Sequence, residues 1–237
     1  PAAMETGLNA TIPLSLTLLL IVMATTASFL HLGNPTNAPK AIRYLTRSCL
    51  RREILAIGLY SASLAATQRY PWRTGAPYPG YLLAVCSGTG LFLIWTMSRV
   101  YRIPTIPAWN SVYTPLGFTL TTLSLGSISC LVFAGSGVLA VDGRGSSFLA
   151  ALLVIVLLLE LVASILQRRG LLAMDSGING PEFDNSTWRR LFLVRLILLL
   201  VALLLVLPLV FSAGIGTPLW LLAPMALLVV QELIGRA

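Results

Sequence analysis

The sequence predicts an all-α integral membrane protein, an up-and-down bundle of transmembrane helices. Three observations carry that prediction. Hydrophobic residues make up 57% of the 237-residue chain and charged residues only 10%. Mean hydropathy is +0.86, outside the range of ordinary soluble domains. The apolar residues are also gathered into seven long runs. A helix needs about 20 mostly apolar residues to cross the bilayer core. Runs this continuous satisfy their backbone groups internally, which favours helices over barrel strands.

The first run, Ile12–Leu30, stops at His31-Leu32-Gly33-Asn34-Pro35, where Gly33 and Pro35 end the helix and let the chain turn. The second, Glu53–Tyr70, is the weakest, because its cleanly apolar part covers only Ile54–Ala66. Gly80–Met97 and Ser111–Val138 follow. Ser147–Leu166 carries Glu160 about two turns from its end, and Leu191–Ala213 carries Arg195 one turn in. Pro218–Ile234 closes the set, with Glu232 near its end. Residues 1–237 are read as a single transmembrane domain, since no other stretch is long enough to bury a core of its own. No cleavable signal peptide is expected, because the flank of the first run carries Glu5 and no Lys or Arg.

Ionisable groups inside spans are costly and usually face a bundle interior. Glu232 and Arg236 are spaced i,i+4 and are expected to pair with each other. Arg195 is expected to snorkel to the headgroups. Cys49, Cys86 and Cys130 stand far apart, form no C-x-x-C or haem-attachment pattern, and read as packing residues. One histidine excludes a bis-histidine haem, and three scattered cysteines exclude an iron–sulfur cluster. Any electron carrier used by this protein therefore belongs to another subunit, and no metal site is expected.

Alternation of seven spans divides the connecting segments between two faces. The face where the first span ends receives 12 of the 16 basic residues, against 3 on the other face, with Arg195 inside the sixth span. By the positive-inside rule that basic face is cytoplasmic. Alternatively, it is a docking surface for an acidic partner subunit. The same face gathers His31, the only histidine, and Glu53, 22 residues on. Arg99, Tyr101, Trp109 and Tyr113 follow around the third and fourth spans.

Three local sequences carry a resemblance. The first is Ala27-Ser28-Phe29-Leu30-His31-Leu32-Gly33-Asn34-Pro35, followed by Arg52-Glu53-Ile54. The second is Trp95-Thr96-Met97-Ser98-Arg99-Val100-Tyr101. The third is Ile106-Pro107-Ala108-Trp109-Asn110-Ser111-Val112-Tyr113-Thr114-Pro115-Leu116-Gly117-Phe118, with Glu232-Leu233-Ile234-Gly235-Arg236 closing the sequence. In this order they resemble the membrane anchor subunit of the dimethyl sulfoxide reductase family, in detail over roughly residues 25–120.

The resemblance implies an anchor that binds menaquinol in the bilayer and passes its electrons to a partner iron–sulfur subunit, beside a molybdopterin catalytic subunit. It implies no cofactor on the anchor itself, only quinone as bound substrate. Catalytic roles fall to His31 and Glu53; the quinol-binding set is His31, Gly33, Pro35, Lys40, Arg43, Glu53, Arg99, Tyr101, Trp109 and Tyr113. Two departures stand out. The family has eight spans, so one span, before Pro1, is expected to be missing. Asn37 stands where a basic residue usually follows the H-L-G-x-P element, with Lys40 and Arg43 nearby. The resemblance also implies an inner-membrane location with the docking face periplasmic, against the charge rule. Membrane lipids are expected partners and nucleic acid is not.

The chemistry of the residues agrees with this role. Oxidising a quinol releases two electrons and two protons. An imidazole, with an ordinary pKa of about 6.5, accepts a hydrogen bond and then a proton near neutrality. A carboxylate within reach passes the proton on. The bland readings are an interfacial anchor for His31, a helix-start acid for Glu53, and belt or snorkelling roles for Arg99, Tyr101, Trp95, Trp109 and Tyr113. The basic run Arg43–Arg52 reads as a docking or lipid-facing loop. Two other functions compete: a polysulfide-reductase-type anchor that moves protons through Glu160 and Arg195, and a small transporter or assembly scaffold. Absence of an inverted repeat argues against a transporter.

Overall fold

Seven α-helices follow one another in the computed structural model: α1 (Ala2–Leu30), α2 (Cys49–Thr74), α3 (Gly80–Val100), α4 (Tyr113–Gly135), α5 (Gly143–Asp175), α6 (Ser186–Phe211) and α7 (Pro218–Arg236). The structure describes residues 2–30, 49–105, 109–175, 186–211 and 218–236, and the side chains of 10–27, 49–105, 109–170, 187–211 and 219–235. No strand occurs among the described residues. Five helices are long and apolar enough to cross a membrane: α1, α3, α4, α5 and α6. The protein is a multi-pass helical membrane protein.

The seven sequence runs and the helices differ in two ways. The helices overrun the apolar windows, most visibly in α1, which begins ten residues before Ile12, and in α5, which extends beyond Ser147–Leu166 at both ends. Backbone hydrogen bonding continues where hydrophobicity stops, so a hydropathy window marks the lipid-facing length and not the helix. The second difference concerns α2 and α7, which fall outside the five. Arg51, Arg52, Glu53, Arg69 and Arg73 dilute α2 at both ends, and the apolar part of α7 is only Leu219–Gly235.

The protein forms two compact units, Pro1–Arg102 and Ile103–Ala237. In the first, α1 packs on α2 and α2 on α3. The α2–α3 turn follows from sequence. Gly75 adopts φ +65°, a left-handed conformation that an L side chain resists. Its N–H bonds the Pro71 carbonyl at 2.8 Å and closes α2. Pro79 then caps α3. Ser63 and Thr89 bond across the hairpin at 2.8 Å, and Gly90 gives the Tyr60 ring room to approach. Thr11 bonds Tyr78 at 3.2 Å and Gln68 bonds Ser15, so α1 runs antiparallel to α2.

In the second unit α4, α5, α6 and α7 close a ring, each packed on the next and α7 back on α4. Its core comprises Ile128 and Leu131, Leu153 and Leu157, Leu199, Ala202 and Val206, and Leu221 and Leu228. Gly137, at φ +74°, reverses the chain after α4. Asp142 Oδ1 accepts the Gly145 N–H at 2.8 Å and starts α5. Large apolar side chains such as Ile155, Leu158, Leu159, Ile197 and Leu204 point outward, the arrangement expected of a bundle solvated by lipid.

Candidate functional site

Antiparallel register decides which side chains share an end of the first unit. Ser15 meets Gln68 and Thr11 meets Tyr78, so the close of α1 at Leu30 comes level with the first turns of α2. Ser63 meets Thr89 across the hairpin, so Glu53 comes level with Arg99. That end therefore carries Glu53, half-buried on α2, and Arg99, exposed in the last turn of α3. Tyr101 caps α3, its N–H bonded to the Met97 carbonyl at 3.3 Å, and its side chain is exposed. Glu53, Arg99 and Tyr101 are brought together by topology. His31, Gly33, Pro35, Lys40 and Arg43 lie outside the described residues.

Trp109 and Tyr113 belong to the second unit, at the start of α4. The Thr114 hydroxyl donates to the Trp109 carbonyl at 2.5 Å, which holds the approach to the helix. Trp109 is exposed and Tyr113 partly so, as aromatic residues at a membrane interface are. Trp95 stacks on Phe92 in α3, with ring centroids 5.9 Å apart.

The second unit also buries a polar cluster that the sequence showed only in fragments. Arg195 on α6 turns inward: its Nη2 lies 3.5 Å from Glu160 Oε1 on α5 and 3.9 Å from Glu232 Oε1 on α7. Its Nε donates to Gln231 Oε1 at 3.1 Å. The Gln231 amide donates to Glu160 Oε1 and to Glu232 Oε1, each at 2.9 Å. Thr121 of α4 is a further hydrogen-bonding neighbour of Glu232.

One expectation is corrected by this geometry. Arg195 does not snorkel, because two buried carboxylates across the bundle draw its guanidinium inward. Glu232 also faces Arg195 and Gln231, and the side chain of Arg236, its expected i+4 partner, lies outside the described residues. Gln231, completely buried, was missed altogether. The available signal was a polar side chain in an otherwise apolar helix, the same signal that marked Glu160 and Arg195.

An all-helical fold with lipid-facing helices, aromatic residues at a span end and ionisable groups turned inward defines a polytopic helical membrane protein. The model of the DMSO reductase anchor subunit (DmsC) family matches residues 10–237, and the protein belongs to that family. It is similar to an anaerobic dimethyl sulfoxide reductase chain of Escherichia coli (strain K12), 30% identical over 224 residues that cover 89% of this sequence and 74% of the relative. A second relative, the anaerobic dimethyl sulfoxide reductase chain YnfH of the same organism, is 32% identical over 108 residues, 43% of this sequence and 37% of its own length. No solved structure matches significantly.

Proposed function

We propose that this protein oxidises menaquinol in the cytoplasmic (inner) membrane and delivers the electrons to a partner iron–sulfur subunit, which feeds a molybdopterin catalytic subunit. The observation that carries the reading is the end of unit one where α1 closes, α2 begins with Glu53, and α3 finishes with Arg99 and Tyr101. Family membership and the similarity to dimethyl sulfoxide reductase chains support it.

In this account the quinol ring sits at headgroup depth against that end, with its tail in lipid. His31, just beyond the close of α1, accepts the hydrogen bond of one quinol hydroxyl. As the two electrons leave for the partner subunit, the imidazole takes that proton and Glu53 passes it toward water, while the proton of the second hydroxyl leaves directly to water at the rim. Gly33 and Pro35, just after His31, are residue types that end a helix and permit a turn. Lys40, Arg43 and Arg99 offer positive charge to the oxygen that develops negative charge. Tyr101 provides aromatic contact for the ring. The anchor itself holds no cofactor, and the terminal acceptor is set by the catalytic subunit. The partners dock on this face, which is periplasmic in the proposed orientation.

Replacing His31 with Phe in the assembled complex tests the reading. Quinol-driven reduction of the acceptor should be lost, by about 100-fold or more as for removal of an acid–base group. Reduction driven by an artificial dye that feeds the partner subunits directly should survive. Unchanged quinol turnover would defeat the proposal.

A further inference from the structure

The α5–α6 pair carries a charged feature that neither the inward cluster nor the quinol site uses. Arg168 and Arg169 stand at the limit of the span in α5, Gly143–Gly170, and Arg189 and Arg190 near the start of the span in α6, Thr187–Phe211. The two helices pack on each other, so these arginines share one end of unit two. Arg168 lays its guanidinium over the Phe192 ring, 4.4 Å from the centroid, and ties the close of the α5 span to the first turns of α6. Trp188 beside them is half exposed, as aromatic residues at headgroup depth are.

Register decides what this end is suited to meet. On α5 the outward side chains Leu159, Val162 and Leu166 are each about half exposed and share one stripe of the helix. Exposed Arg169, three residues beyond Leu166, ends that stripe. On α6 Leu200, Ile197 and Leu193 make the matching stripe, and exposed Arg190, three residues before Leu193, ends it. Each lipid-facing apolar row therefore finishes in a cation at the membrane surface. The positive-inside rule places basic residues on one face of the membrane but is indifferent to which side of a helix they occupy. A soluble acidic partner would meet the arginines and leave the apolar rows untouched. An anionic phospholipid meets both, with its phosphate above and its acyl chains below. The helix dipole adds a second reason. Arg189 and Arg190 stand in the first turns of α6, near the positive end of the dipole, an arrangement that a bound anion offsets. Asp175, the last residue of α5, is six residues and so about 9 Å further out along the helix than Arg169. Glu182 and Asp184 belong to the connection and lie outside the described residues.

We infer that the outer face of the α5–α6 pair is a binding site for an anionic phospholipid, its phosphate held by Arg169 and Arg190 and its acyl chains lying along the two apolar rows. The site belongs to the lipid-facing surface and does not depend on where quinol binds or on which way the protein faces.

Spin-labelled lipids in proteoliposomes of the full complex test the assignment. The wild type should hold labelled phosphatidylglycerol in the motionally restricted fraction about five-fold more strongly than labelled phosphatidylcholine. Arg169→Gln combined with Arg190→Gln should lose most of that preference. Arg144→Gln, at the opposite end of α5, should keep it. All three substitutions alter exposed side chains, so both proteins should fold. A wild type without the preference, as neutralisation of the arginines by Glu182 and Asp184 would produce, overturns the site. An equal loss in Arg144→Gln also overturns it, because the preference then reflects general surface charge. A double variant that keeps the preference overturns it as well; if that variant sheds the partner subunits, the arginines form a protein-docking surface instead.

Discussion

Arg195 shows how much a single side chain's direction depends on what the bundle puts opposite it. Near the start of α6 it has two destinations, headgroups or interior, and sequence distance to the membrane edge favours the first. Glu160 lies 35 residues away and Glu232 lies 37 residues away, so their attraction is invisible without the fold. Breaking a buried charge balance of this kind costs about 3–5 kcal/mol. The double variant Glu160→Gln with Glu232→Gln, which strands Arg195, should lose that much stability, whereas each single variant should lose much less; thermal denaturation in detergent separates them. Gly235 guards the same guanidinium. A Cβ there would stand 2.6 Å from Arg195 Cζ, so Gly235→Ala should push Arg195 off its partners and cost about 1–3 kcal/mol, measured in the same melts.

At the level of elements, the helices were legible and their limits were not. Hydropathy alone marks α3, α4, α5 and α6, because lipid selects an almost unbroken apolar face. It marks α2 poorly, since basic and acidic residues occupy both of its ends. Which face of each helix is internal is hidden for a related reason: beyond Arg195, α6 is apolar all round, so pattern cannot distinguish buried Leu199 from exposed Leu200. Packing distinguishes them. Leu153→Ala, at the centre of the bundle, should destabilise unit two by about 2–5 kcal/mol. Leu158→Ala, half exposed on the lipid side of the same helix, should change stability by less than about 0.5 kcal/mol. Of the candidate site, the sharing of one end by Glu53, Arg99 and Tyr101 followed from alternation of spans. Their level alignment needed the Ser63–Thr89 and Ser15–Gln68 contacts.

Across the whole molecule, charge is the feature with two opposing explanations. The 12 basic residues on one face keep that face cytoplasmic if translocation decides, and periplasmic if partner docking decides. Cys49, exposed at the start of α2 on that face, reports the answer. In spheroplasts carrying the protein without its partners, a membrane-impermeant maleimide should label Cys49 from outside, and labelling only after lysis would reverse the orientation. The central claim, a quinol site where the close of α1 meets the start of α2, is tested most directly by a photoreactive quinone. After irradiation of membranes containing the assembled complex and digestion of the protein, adducts should fall in peptides spanning residues 26–53 and 99–113, and excess natural quinol should suppress them. Adducts confined to α5, α6 and α7, or unaffected by excess quinol, would contradict the account.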